Sequence, residues 1–394
     1  MIEPVDVVIV GGAVMGSSLA WHLAQHQGFS GRICVIERDM SYQKSASALS
    51  AGSIRQQFSQ AVNIAISTYG IQFLREIGDR LAVGETRPDV GLHEGGYLYL
   101  GTADRRGVFE ENNAVQIAQG ADIALLDPAA LKSAFSWLST EDLAIGSFGR
   151  TGEGWFDGYG LMQAFRNKAR SLGVIYLKGE VTGVRHGNGA ITSVQLNDGS
   201  ELGCGAFVNT AGAAGARQLC ATLGVEIPVY AKKRSVFSFT CKEALPRHPL
   251  IIDHTGVWWR PEGEGYICGY SPDDLDETDH ATDFEVDWPL FDNVMWPALA
   301  QRIPAFEAIR PGRAWAGHYD TNLFDHNALV GRLPGYANAY LACGFSGHGL
   351  QQSPAIGRGL AELIITGRYQ TVDLSELSID RLALNRPLLE RNVI

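Results

Sequence analysis

Val5-Asp6-Val7-Val8-Ile9-Val10 runs directly into Gly11-Gly12-Ala13-Val14-Met15-Gly16, and Arg32-Ile33-Cys34-Val35-Ile36-Glu37-Arg38 follows. An apolar run enters a glycine-rich turn. The turn opens a helix with Leu19, Ala20, Leu23 and Ala24 on one face. A second β-branched run then ends in an acid. This is the order of a βαβ dinucleotide-binding unit. Gly11 permits the tight turn, and Gly16 lets the helix pack close to the strand. The first-turn amides face a pyrophosphate, where the helix dipole also favours negative charge. Glu37 stands where an acid accepts ribose hydroxyls, which argues against a 2′-phosphorylated dinucleotide. The pattern departs from G-x-G-x-x-G at Ala13, whose methyl group is tolerable if the local φ is negative.

At 394 residues the chain is long enough for two domains. Its 45% hydrophobic and 19% charged residues are ordinary for a globular enzyme. The net charge of −11 disfavours nucleic acid and anionic membrane as partners. Six scattered cysteines without C-x-x-C suit a reducing compartment and give no metal framework. No targeting peptide or membrane span is read in the sequence, and the expectation is a cytoplasmic protein.

Ser41 to Arg55 is rich in small and hydroxylated residues, which let backbone lie against a ligand while hydroxyls donate to it. Arg55 at its end has the fork that binds a carboxylate. A helix is expected from Ala61 to Arg80, a strand from Gly95 to Leu100, and helices from about 110 to 135. Gly154-Trp155-Phe156-Asp157 precedes a helix over Leu161–Leu172. Short strands with hairpin turns run from Val174 to Leu196 and include Val181. Ala206 to Gly215 is again strand, glycine turn and helix, a second turn suited to reach the same ligand. Strands follow from Val229 to Tyr270, then an acidic loop over 271–287, then a helix from Leu290 to Ile303 stopped by Pro304. Tyr340 to Pro354 holds Gly344-Phe345-Ser346-Gly347-His348-Gly349, a third strand feeding glycines that open a helix, which continues over Ala355–Ile365. Its amides suit an anion, and His348 reads either as part of that site or as a histidine hydrogen-bonded beneath it.

Gly11 to Gly16, Glu37, Ser53-Ile54-Arg55-Gln56-Gln57-Phe58 and Gly344 to Gly349 together resemble the D-amino-acid-oxidase-type FAD-dependent amine oxidoreductases. That family includes sarcosine oxidase, dye-linked L-proline dehydrogenase and a mitochondrial respiratory-complex assembly factor. The resemblance covers essentially the whole chain. It implies an α/β (α+β) fold with a Rossmann-like FAD-binding domain and a second, antiparallel-sheet substrate domain. The first is expected over 1–85, 150–228 and 318–394, and the second over 86–149 and 229–317.

The cofactor implied is non-covalent FAD. Its expected contacts are Gly11, Gly12, Ala13, Val14, Met15, Gly16, Glu37, Arg38, Ser45, Ala46, Ser47, Leu49, Ser50, Ala51, Gly52, Val181, Ala211, Gly212 and Gly317. Gly344, Phe345, Ser346, Gly347, His348, Gly349, Leu350 and Gln351 complete them. On the catalytic side the resemblance implies Arg55 on the substrate carboxylate and Tyr319 lining the flavin pocket, with His348 and Gln351 beside them. Three departures from sarcosine oxidase stand out. Gln351 replaces a carboxylate-gripping lysine, Ile267 aligns with the lysine that promotes reaction with oxygen, and Gly317 aligns with the cysteine that bonds the flavin.

The expected chemistry is oxidation of the C–N bond of a small amino acid or N-alkyl amino acid, sarcosine- or proline-like, to an imine. Two alternatives stand beside it: a subunit that passes electrons to an acceptor subunit, and a non-catalytic FAD-containing assembly factor.

Overall fold

The computed structural model describes residues 3–243, 245–272 and 276–392. Two eight-stranded sheets organise them. The first runs in the order Leu329–Arg332, Ala339–Cys343, Glu201–Asn209, Val5–Val10, Ile33–Glu37, Ile175–Lys178. All neighbours from Ala339–Cys343 to Ile175–Lys178 are parallel. Val181–Gly187 and Ala190–Leu196 form an antiparallel pair attached to Glu201–Asn209. Such central strands are covered on both faces, which is why they read as unbroken Val/Ile runs. Val8 and Ile9 are fully buried, each in a different core cluster.

The second sheet runs Ile309–Asn322, Val229–Cys241, Gly265–Tyr270, Val257–Glu262, Leu250–Ile252, Tyr97–Gly101, Ile145–Gly149, Ile123–Leu126. It is antiparallel except where Leu250–Ile252 lies parallel to Tyr97–Gly101. The expected boundary between 317 and 318 falls inside the strand Ile309–Asn322. That strand pairs with Val229–Cys241 in a register that sets Lys232 opposite Tyr319 and Arg234 opposite Gly317.

Two helices position the site. Val14–Gln25 follows the first glycine turn, and Gly349–Thr366 follows the last. They pack closely because Gly357 has no side chain: a Cβ there would sit 2.8 Å from the Leu19 nitrogen and strike the Ser18 hydroxyl. Ser18 Oγ donates to the Ser353 carbonyl at 2.7 Å across the same contact. Pro354 lies inside the second helix and cannot donate to the Leu350 carbonyl. Ser353 Oγ donates to that oxygen instead, at 2.9 Å.

Several local expectations are corrected. Ile123–Leu126 is a strand between the helices Arg106–Ala118 and Pro128–Ala134, because it completes a sheet edge against Ile145–Gly149. The helix from Ala61 breaks at Glu76 into Ala61–Arg75 and Ile77–Arg80. The helix expected from Leu290 starts at Trp288, with a π-helical turn over Phe291–Met295. In the acidic loop, 273–275 lie outside the described residues.

Candidate functional site: a cleft between the two sheets

Gly11 has φ +99°, and an added Cβ would be driven into the Thr210 carbonyl. At Gly16 it would be driven into the Gly11 carbonyl. Both positions therefore require glycine, and the helix start is drawn tight against the strand ends. Thr210 locks the two neighbouring turns together: its Oγ1 donates at 3.0 Å to the Val10 carbonyl and is 2.9 Å from that of Gly11. Ala13 has φ −68°, so its methyl group costs no backbone strain. The Glu37 carboxylate accepts the Gly12 N–H at 2.8 Å and the Asp39 N–H at 2.9 Å. Ser47 Oγ accepts the Val14 N–H at 3.2 Å.

A long cleft opens along these groups. Gly11, Ala13, Val14, Met15, Glu37, Arg38, Ser45, Ala46, Ser47, Leu49, Ser50, Ala51, Ala211, Gly212, Gly317, Tyr319, Phe345, Gly347, Gly349 and Leu350 line it. Val181 lines an adjoining cavity that shares Gly11, Glu37, Arg38 and Ala211. Gly12, Gly16, Gly52, Gly344 and Ser346 stand behind the surface as scaffold. Gly52 (φ +63°) abuts the Phe156 carbonyl, and Ser346 Oγ accepts the Asn322 N–H at 3.1 Å.

At the third turn Gly347 (φ +90°) leaves no room for a Cβ, which would meet the Tyr319 ring. The half-buried Asp320 carboxylate, at the cleft wall, accepts the Gly344 N–H at 2.8 Å, and desolvation lifts its pKa to about 6. The helix beginning at Gly349 leaves its first-turn amides without intrahelical acceptors. Gly349 and Leu350 bring that end to the cleft.

Arg55, His348 and Gln351 do not line the cleft. Arg55 is 1% exposed, and its guanidinium donates to the Gln57 and Asn392 carbonyls. It also donates to His348 Nε2 at 2.8 Å and lies over the Phe58 ring, 4.0 Å from its centroid. A guanidinium only donates, so His348 Nε2 is the acceptor and Nδ1 carries the proton. Burial and the Arg55 charge hold the His348 pKa well below the usual range, so the ring is neutral. Of the two readings of His348, the geometry matches the hydrogen-bonded one. Gln351 Oε1 accepts the Arg55 N–H at 2.7 Å, a bond that a lysine there could not accept. Behind this nest the buried Glu153 accepts from the Gln56 N–H at 2.5 Å and from Gln57 N and Nε2 at 3.1 and 2.8 Å. Burial raises its pKa to about 7.

Sequence reading missed Tyr42, Thr210, Asp320, Glu153 and the wall given by the second sheet. Val236, Trp258 and Tyr270 form that wall, and Phe284 joins it from the acidic loop. Tyr42 is buried on the cleft, and its hydroxyl makes no well-formed hydrogen bond within the protein. Its positive φ, +59°, could not be read from composition; Glu153 carried a signal, an acid between Gly152 and Gly154.

The chain matches the family FAD-dependent oxidoreductase (DAO) over residues 6–363 and belongs to it. It is 40% identical over 426 aligned residues to FAD-dependent oxidoreductase domain-containing protein 1 of Xenopus laevis, spanning 100% of this chain and 85% of that protein. It is 24% identical to mitochondrial sarcosine dehydrogenase of Homo sapiens, over 92% of this chain and 40% of that protein. Among solved structures, L-proline dehydrogenase from P. horikoshii superposes with a TM-score of 0.85 at 25% identity, covering 98% of this chain and 100% of that one.

The cleft fits FAD. Glycine-only cradles stand at both helix starts, Glu37 borders the end shared with Val181, and the buried Tyr42 hydroxyl faces the cleft without a well-formed hydrogen bond. At Gly317 a Cβ would meet Leu49 Cβ at 2.9 Å, and no cysteine borders the cleft. Among the described residues no cluster suited to a metal ion occurs, and no helix is long and apolar enough to cross a membrane.

Proposed function

We propose that the chain oxidises the C–N bond of a small amino acid or N-alkyl amino acid, with sarcosine- and proline-like secondary amines as the preferred class. FAD supplies the hydride acceptor for such a reaction. The observation that carries the reading is the company of Tyr319. It faces the cleft beside the apolar Val236 and Trp258, with the Arg234 guanidinium 5.4 Å from its ring centroid and Arg55 bearing on it from behind. An apolar wall next to positive charge suits a ligand with a carboxylate and a short aliphatic body. The same positive field disfavours an ammonium, so the substrate amine is held neutral, the form from which hydride leaves. Arg55 meets the carboxylate by exchanging the Asn392 carbonyl for it.

The likeness to proteins named sarcosine dehydrogenase and L-proline dehydrogenase supports this class. Anaerobic mixing of the yellow protein with sarcosine, L-proline, glycine and D-amino acids tests it. Bleaching by the secondary amino acids is expected, and no bleaching by any of them favours the assembly-factor reading. Arg55→Ala is expected to raise KM about ten- to hundredfold with FAD retained, the loss typical of a charge-assisted contact. An unchanged KM removes Arg55 from the substrate.

One observation favours transfer of electrons to an acceptor other than oxygen. Ile267, aligned with the oxygen-promoting lysine, is 3% exposed and packed with Tyr97, Val236 and Trp258, so an aliphatic side chain stands where that lysine would be, with Arg260 opposite it on the next strand. Dye reduction without peroxide in air is the expected outcome.

A further inference from the structure

The strand Val229–Cys241 carries three successive residues that all grip one distant segment. Ala231 accepts the His280 N–H at 2.9 Å through its carbonyl. Lys232 is 1% exposed, yet every proton of its ammonium has an acceptor: Asp276 Oδ1 at 2.5 Å, the Asp276 carbonyl at 2.7 Å and the Thr278 carbonyl at 3.0 Å. Lys233 pairs with Asp283 at 2.5 Å. Arg217, on a helix of the first sheet's side, pairs with Asp279. Four attachments thus hold a stretch that otherwise forms no helix or strand up to Asp287.

The segment reaches the cleft at one point. Phe284 lines it, standing edge-on to His318 with ring centroids 4.4 Å apart. His318 Nε2 is 2.7 Å from the Asp283 carbonyl, fixing the neighbouring backbone. Lys44 Nζ, on the cradle side, lies 5.1 Å from the Phe284 centroid. An aromatic ring therefore bridges the two cleft walls, and partly exposed ion pairs hold it there.

We propose that Asp276–Asp287 is a cover on the cofactor cleft, latched by Lys232, Lys233 and Arg217 with Phe284 as its wedge, and that it sets how long FAD stays bound. The carboxylates of all three latches are between 22% and 68% exposed. Salt screens such pairs, so release of FAD is coupled to ionic strength.

The test is the rate of FAD release from the holoprotein on dilution, followed by flavin fluorescence. Salt is raised from about 0.01 M to about 1 M, over which the screening length falls from about 30 Å to about 3 Å. Release is expected to quicken at least about threefold in the parent protein. Lys233→Gln should already release faster at low salt, with a smaller further response. Phe284→Ala should release faster at every salt concentration while the melting temperature of the apoprotein stays within about 2 °C, the size of a minor surface change. Lys232→Met should give the largest rate, and if it does not fold the other two variants still decide. Salt-independent release together with parent-like rates in Lys233→Gln and Phe284→Ala overturns the proposal.

Discussion

The cradle at Gly11–Gly16 and the nest around Arg55 lie in the same molecule but are made in opposite ways. The cradle is built from backbone and from missing side chains: at Gly11 and Gly16 a single methyl group would collide with a carbonyl. The nest is built from large side chains and a distant carbonyl, with Arg55, His348, Gln351 and Asn392 held by directional bonds. A cradle of this kind tolerates no added atom but places few demands on its surroundings. A nest tolerates volume changes better, but each donor or acceptor removed leaves another buried group unsatisfied.

Gly16→Ala tests the first half of that contrast and has the largest expected effect. The new Cβ would be driven into the Gly11 carbonyl and would crowd Thr210 Oγ1 at 2.8 Å, so the strand–helix junction itself must shift. Loss of FAD binding and a drop of about 1–3 kcal/mol in stability are expected, read by flavin content and urea unfolding. A variant that keeps full yellow colour and parent stability shows that the turn is looser than this packing requires.

Glu153→Gln probes the nest through pH. Burial raises the Glu153 carboxyl from an ordinary 4.5 to about 7, so the folded protein holds this proton more tightly than the unfolded chain does. Its contribution to stability is therefore present below about 4.5 and lost as pH rises through about 7. Glutamine does not titrate. The variant is expected to gain stability relative to the parent between pH 5 and pH 8, a window set by those two values. Asp320, raised to about 6 by burial, keeps a residual slope of the same sign in both proteins. Parallel stability curves would mean that Glu153 is not titrating in this range.

The contrast also decides what could be read from the sequence. Gly11, Gly16 and Glu37 were legible because each role is filled within one βαβ unit, where spacing along the chain stands for spacing in space. Val174–Leu177 and the third glycine turn were legible for the same reason. The nest was not. Gln56 meets Glu153 from 97 residues away, and Arg55 meets Asn392 from 337. Arg55 was singled out as a carboxylate clamp, but sequence alone cannot say that the Gln57 and Asn392 carbonyls hold its guanidinium. Ile123–Leu126 hid in a helical neighbourhood because its strand character comes from its partner Ile145–Gly149, not from its own Ile-Ala-Leu-Leu. Phe284 sits in an acidic stretch whose order depends on Lys232 and Lys233, two residues with no local reason to be special.

Tyr42→Phe sharpens the contrast at a side chain that borders the cradle. The Tyr42 ring is buried and lines the cleft, and a Cβ on Gly12 would approach its hydroxyl to 2.9 Å. Within the protein that hydroxyl is poorly satisfied, with the Arg166 guanidinium standing 5.2 Å from the ring centroid. A buried polar group without a good partner destabilises the empty fold, whereas the same group facing a bound FAD gains one. Removing only the oxygen should therefore push two measurements in opposite directions. Apoprotein stability is expected to hold or rise slightly, and the Kd for FAD to weaken about two- to tenfold, the worth of one ordinary hydrogen bond. Equal losses in both would mark the hydroxyl as part of the fold. A loss in FAD affinity alone marks it as a side-chain contact of the cradle that no glycine pattern announces.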